Sequence, residues 1–242
     1  MKQLITITLL LVFAGLLYIA EGNALPSLSS NSQNASVYNN GILKSESKKY
    51  EDIANYNFDI DFNAEQKTIF VKEYITWKNK TQFATDEIQF HFYANAYKST
   101  LTEFAKAYNL TNPETRTHLV INSFLVNGRR DSLAYFQPEI QNPHDSTTAK
   151  VHLTETIQPG DSVSIYFEYS LKIPRSVKRM GYASGRNFFF VSQWFPKVGV
   201  FENGKWTCSQ YHPYLNFYSD FGNYRARIKV PEDYVVASTG VL

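Results

Sequence analysis

The sequence of 242 residues predicts an all-β fold: an antiparallel β-sandwich or saddle-shaped sheet with one short helix. Three observations predict it. Apolar residues recur at every second position from Tyr56 onward, turn signals such as Asn127-Gly128 and Pro159-Gly160 fall between these runs, and a single stretch has helical spacing. With 43% hydrophobic and 16% aromatic residues the chain has ample material for a core. A net charge of +2 leaves no basic footprint, so nucleic acid is not an expected partner.

Taken in order, the chain opens with Lys2, an apolar run over residues 4–20, and Gly22-Asn23-Ala24. This is the pattern of a secretory signal peptide, residues 1–24, with cleavage after Ala24. It predicts a secreted or periplasmic protein with no stable membrane span after cleavage. The alternative is an uncleaved anchor, because the run approaches the ~20 residues of a spanning helix. Residues 25–49 are rich in Ser and Asn and read as a disordered linker. Residues 50–242 form the β domain. Asn34-Ala-Ser36, Asn79-Lys-Thr81 and Asn109-Leu-Thr111 match the weak glycosylation pattern.

Within the domain, Tyr56, Phe58, Ile60 and Phe62 alternate with polar residues, and Ile69, Val71, Ile75 and Trp77 do the same over residues 68–78. A third strand sets Ile88, Phe90 and Phe92 inward and Glu87, Gln89 and His91 outward, completing a meander with one wet face. Thr100 and Glu103 suggest a capping box for a short helix with Leu101, Phe104, Ala105 and Tyr108 on one face, stopped at Pro113. Residues 118–126 and 133–136 flank Asn127-Gly128 as a hairpin. A further pair flanks Gln158-Pro-Gly-Asp161, and the last strands run over residues 224–230 and 235–238. The end at Leu242, within or just after a strand, suggests a fragment of a longer protein.

The chemistry is sparse. The five histidines show no His-Glu-x-x-His spacing, and there is no phosphate loop, nucleotide fingerprint or serine elbow. His91 and His152 read as exposed strand residues, whereas His212, beside Pro213 in an aromatic loop, is the stronger functional candidate. Cys208, the single cysteine, has no base supplied by a motif and reads as a small buried hydrophobe. Arg175, Lys178, Arg179 and Arg186 form a basic loop, either solvated or folded over an anionic ligand or a partner domain.

The most distinctive stretch is residues 188–220, which joins a Phe-rich strand to a turn at Pro196 and an aromatic loop. Its segments Phe190-Val-Ser-Gln-Trp-Phe-Pro-Lys-Val-Gly-Val-Phe201, Gly204-Lys-Trp206 and Phe217-Tyr-Ser-Asp-Phe-Gly-Asn-Tyr224 precede Val230-Pro-Glu-Asp-Tyr-Val-Val-Ala-Ser-Thr-Gly240. With Ile88-Gln-Phe-His-Phe-Tyr-Ala-Asn-Ala96, they closely resemble the N-terminal domain of aminopeptidase N-like zinc metallopeptidases. The resemblance spans residues 50–242, and residues 193–240 are its specific part. It implies a saddle-shaped β domain that caps a separate catalytic domain holding zinc, which is therefore expected in the parent protein and not in this chain. The implied partners are that intramolecular catalytic domain and a peptide substrate.

In that family a Gln-x-Gln or Gln-x-Glu loop reaches the substrate cleft, and its second side chain helps to hold the peptide's α-amine. Gln193 matches the first position and is the one substrate-binding candidate; no catalytic or metal-binding residue is expected in this chain. The second position is Phe195, whose ring cannot accept a hydrogen bond from an ammonium. Two other classes stay open. A secreted carbohydrate-binding sandwich would expose Trp194, Trp206, Tyr211 and Tyr214, and a protein-docking domain would bury its aromatics in an interface.

Overall fold

A computed structural model describes residues 2–10, 17–21, 53–139, 142–175, 178–215 and 217–240. The predicted linker, residues 25–49, lies outside the described residues. The strands are β1 (Lys2–Leu10), β2 (Leu17–Glu21), β3 (Ala54–Asn63), β4 (Thr68–Lys78), β5 (Thr85–His91) and β6 (Leu119–Val126). They continue with β7 (Arg129–Arg130), β8 (Ala134–Tyr135), β9 (Thr148–Ile157), β10 (Ser162–Lys172), β11 (Gly181–Tyr182) and β12 (Phe188–Val191). The last are β13 (Lys197–Val198), β14 (Val200–Glu202), β15 (Lys205–Thr207), β16 (Gly222–Pro231) and β17 (Tyr234–Ser238). One α-helix, α1 (Glu103–Ala107), follows a 3₁₀ turn at Tyr93–Tyr97.

The fold is the predicted all-β sandwich. A seven-stranded sheet in the order β1-β16-β3-β4-β10-β6-β7 forms one layer. Two four-stranded sheets, β13-β5-β9-β8 and β11-β12-β2-β17, pack on its inner face. Phe90 meets Phe167 at 5.4 Å between ring centroids, and Phe62 meets Phe189 at 4.8 Å and Tyr234 at 5.6 Å. Period-two alternation produces this face directly: Tyr56, Phe58, Ile60 and Phe62 of β3 and Ile69, Val71, Ile75 and Trp77 of β4 are all buried. Each such side chain contributes about 1.5–3 kcal/mol through removal from water. The segment read as a signal peptide supplies β1, at the edge of the large sheet, and β2, between β12 and β17. No helix among the described residues is long and apolar enough to cross a membrane.

The structure corrects several local readings. β5 does not extend the β3–β4 hairpin as a meander but crosses to the second layer, pairing with β13 and β9. That crossing buries His91 to 1% exposure, because the face expected to be wet is covered by the chain around Lys197 and Cys208. The strands flanking Gln158-Pro-Gly-Asp161 lie in opposite layers rather than pairing as a hairpin. The return after Asn127-Gly128 is the two-residue β7, after which the chain leaves for the other layer as β8. The helix begins at Glu103 with Thr102, not Thr100, as its cap. The Thr102 hydroxyl accepts from the Ala105 N–H at 3.2 Å and donates to the Ala96 carbonyl at 2.6 Å, so a buried anchor overrides the capping box. Among the described residues one pairing is parallel, β16 with β3.

Candidate functional site

The strand β12 ends at Val191 and the chain turns through Ser192 and Gln193 before diving inward. Gln193 has φ 53°, left-handed backbone that a side chain with a Cβ adopts at a cost. Its side chain is half-buried, and among the described residues no hydrogen bond holds its amide. The next two residues explain the turn. Trp194 and Phe195 are each 4% exposed and pack on Phe58 with centroids 5.0 and 5.1 Å away. Phe195 also meets Tyr56 at 5.8 Å and Tyr224 at 6.0 Å. The residue at the second family position is thus a core side chain, whereas Ser192 and Gln193 in the turn are partly exposed.

Behind the turn lies a connected set of loops. Ser192 Oγ donates to the Arg179 carbonyl, and the Arg179 guanidinium donates to the Pro213 carbonyl at 3.3 Å and lies 5.3 Å from the Phe217 ring centre. Lys178 Nζ stands 5.0 Å over the Tyr108 ring, and Arg175 pairs with Glu114 at 2.9 Å. The basic loop is therefore pinned onto the aromatic loop and the helix region.

His212, next to Pro213, has Nδ1 2.8 Å from Glu103 Oε2 and Nε2 2.7 Å from Glu139 Oε1. Partial burial pulls this imidazole down, but the hydrogen bonds and charges of Glu139 and Glu103 outweigh it and leave the group raised. The three side chains place ligand-type atoms within 4.8 Å of one another. Their contacts, one carboxylate on each ring nitrogen, are those of an ion-paired imidazolium rather than of ligands around one ion.

Cys208 is buried, with Sγ 3.5 Å from His91 Nδ1. Burial pushes its thiol up to about 12 even though Lys197 pulls it back, and burial followed by Lys197 brings His91 down to about 3. A neutral thiol beside a neutral imidazole is the reverse of an activated cysteine. Lys197 is itself brought down to about 8 by burial, with Cys208 opposing. Of the rings a carbohydrate platform would need, Trp194 and Tyr211 are buried, and Trp206 is half-buried and donates to Thr85 Oγ1 at 3.1 Å. Only Tyr214, at 75%, is well exposed.

No known family profile matches the sequence, and no curated protein matches it. Among solved structures, the chain is similar to a mutant M1 zinc metallopeptidase from Deinococcus radiodurans, at 10% identity and a TM-score of 0.36, over 57% of this chain and 25% of that one. It is also similar to yeast LTA4 hydrolase in complex with bestatin, at 9% identity and a TM-score of 0.33, over 60% and 20%. A putative nutrient binding protein from Legionella pneumophila aligns at 15% identity and a TM-score of 0.31, over 54% and 43%. The match thus spans a quarter or less of the two enzyme chains. Likenesses this remote do not carry a functional reading, which rests on the motif around Gln193 and its geometry.

Proposed function

We propose that the chain is the N-terminal, non-catalytic domain of an exported zinc-dependent aminopeptidase-like protein, capping a catalytic domain and lending Gln193 to the peptide cleft. The observation that carries this reading is the Gln193 turn: a partly exposed amide, without a hydrogen bond among the described residues, on left-handed backbone inside the segment that resembles the family. Backbone held in a sparsely populated region needs a reason, and a presented side chain supplies one. With Phe195 in the core, the amide offers one acceptor and two N–H donors where the family offers two polar side chains. Peptide amine recognition then falls mainly to the catalytic domain, where zinc would also reside.

The coding sequence tests the reading first. Continuation past Leu242 into His-Glu-x-x-His with a downstream Glu supports it; a continuation without those residues sinks it. In a full-length enzyme, Gln193→Ala should raise KM several-fold, in line with loss of one neutral hydrogen bond of about 1 kcal/mol. An unchanged KM would remove Gln193 from the cleft. The second reading is a docking domain without hydrolytic activity, favoured by the exposed Tyr214 and Leu215 on the aromatic loop.

A further inference from the structure

We propose that His212 is a proton-operated clasp: a doubly protonated imidazole that holds the aromatic loop to Glu103 at the start of α1 and to Glu139 after β8, and lets go of one of them when its proton leaves. The geometry carries the argument. Glu103 Oε2 sits 2.8 Å from Nδ1 and Glu139 Oε1 2.7 Å from Nε2. A neutral imidazole owns one N–H, so one of these carboxylates would face a bare lone pair at hydrogen-bond distance. Both contacts are attractive only with a proton on each nitrogen.

The three partners come from different segments. Glu103 opens α1, Glu139 lies in the loop after β8, and His212 belongs to the loop after β15. The clasp therefore joins pieces of chain that share no backbone ladder there. Its side chains are 22%, 33% and 40% exposed for His212, Glu103 and Glu139, which shields the pairs from the full screening of an open surface.

The carboxylates of Glu139 and Glu103 favour the cation. Asp145, fully buried, accepts from the Thr147 N–H at 2.9 Å and from Asn142 Nδ2 at 3.1 Å. Burial raises Asp145, with those hydrogen bonds opposing. Opposite in sign to the carboxylates is Arg179 of the basic loop, donating to Pro213; the loop's own Tyr211, raised well above its ordinary value by burial, is uncharged. For a histidine raised above its ordinary value, the stabilisation is complete below the unfolded value and fades as pH rises through the folded one. The loop is thus held in acid and loosened in base. Pro213 accepts from Arg179, and the Arg179 carbonyl accepts from Ser192, so hydrogen bonds run from the loop beside the clasp to the turn that carries Gln193. The clasp stands whether or not the chain serves a peptidase.

The test uses the full chain. Nitrogen-15 spectra of the histidine rings should find both His212 nitrogens protonated near neutral pH. Hydrogen exchange, corrected for intrinsic rates, should find residues 209–215 losing roughly tenfold protection between about pH 6 and about pH 9, the size of one charge-assisted hydrogen bond. Glu139→Gln should lower the titration midpoint while keeping the loop folded, and His212→Gln should flatten the profile. A singly protonated ring at neutral pH would overturn the proposal. So would loop protection indifferent to pH, or displacement of the ring protons by stoichiometric zinc, which would make the cluster a metal site.

Discussion

Glu73 is the residue that most sharply defies its surroundings. It occupies an inward position of β4 between Val71 and Ile75, opposite Phe58 on one side and Phe167 on the other, and is 0% exposed. The Tyr169 hydroxyl interacts with it, yet neither carboxylate oxygen completes a hydrogen bond of good geometry. Burial raises Glu73 well above its ordinary value of 4.5, with Tyr169 opposing, so it is carried in the fold as a neutral acid. Its contribution is complete below the unfolded value and is lost as pH rises toward the folded one. Glu73→Gln, which removes the titrating proton, should accordingly stabilise the protein relative to the parent increasingly as pH rises above the ordinary carboxyl range. Urea melts at about pH 5 and about pH 7.5 check this: a gain that is the same at both values would refute it. Sequence reading named Ile69, Val71, Ile75 and Trp77 as the inner face and passed over the Glu within their register, because a charge at one position does not break an apolar alternation. Gln193 is singled out by its motif alone, and its role in a cleft is a proposal. The His212 clasp was not, since Glu103 and Glu139 are distant in sequence and only the packing of three loops assembles them.

Among the elements, the turn after β4 is organised by Asn79. Its backbone N–H donates to the Asp161 carbonyl at 2.9 Å and its carbonyl accepts from Gly160 at 2.8 Å. Its side chain donates to the carbonyls of Phe83 at 2.7 Å and Ile157 at 3.3 Å, and accepts from Thr81 Oγ1 at 2.8 Å. A sequon whose Asn and Thr bond to each other inside the fold cannot accept a glycan there, whereas Asn109 is exposed. Asn79→Ala would remove the amide donated to the Ile157 carbonyl and leave the Phe83 carbonyl with Thr81 Oγ1 at 3.1 Å, and it should lower stability by about 1–3 kcal/mol, measured by chemical denaturation. At the head of β16, a Cβ on Gly222 would fall 2.4 Å from the Ala54 carbonyl oxygen of β3. Gly222→Ala must push two paired backbones apart and should cost about 1–3 kcal/mol, with hydrogen exchange rising first over Ala54–Asn57; unchanged exchange there would show that the strands yield freely. Strand positions were legible because the period of two survives any partner. Partner choice was not, as β5, β8 and β9 show: alternation fixes which side chains turn inward but says nothing about which layer receives the strand.

For the whole molecule, the sequence carried the class, an all-β sandwich with one short helix, and the structure added how its layers are wired. At one side of the large sheet the late strand β16 lies between the early strands β1 and β3, and it meets β3 in a parallel ladder. Asn223 and Asn55, bonded side chain to side chain at 3.0 Å across that ladder, are 168 positions apart. During synthesis, then, the edge of β3 has to wait: Tyr56, Phe58 and Ile60 leave the ribosome long before Tyr224, Ala226 and Ile228 exist to flank them. At roughly 5–20 residues per second, the interval is on the order of ten seconds or more. Through that interval an apolar strand stands with one unpaired edge, and whatever escorts the nascent chain must cover that edge.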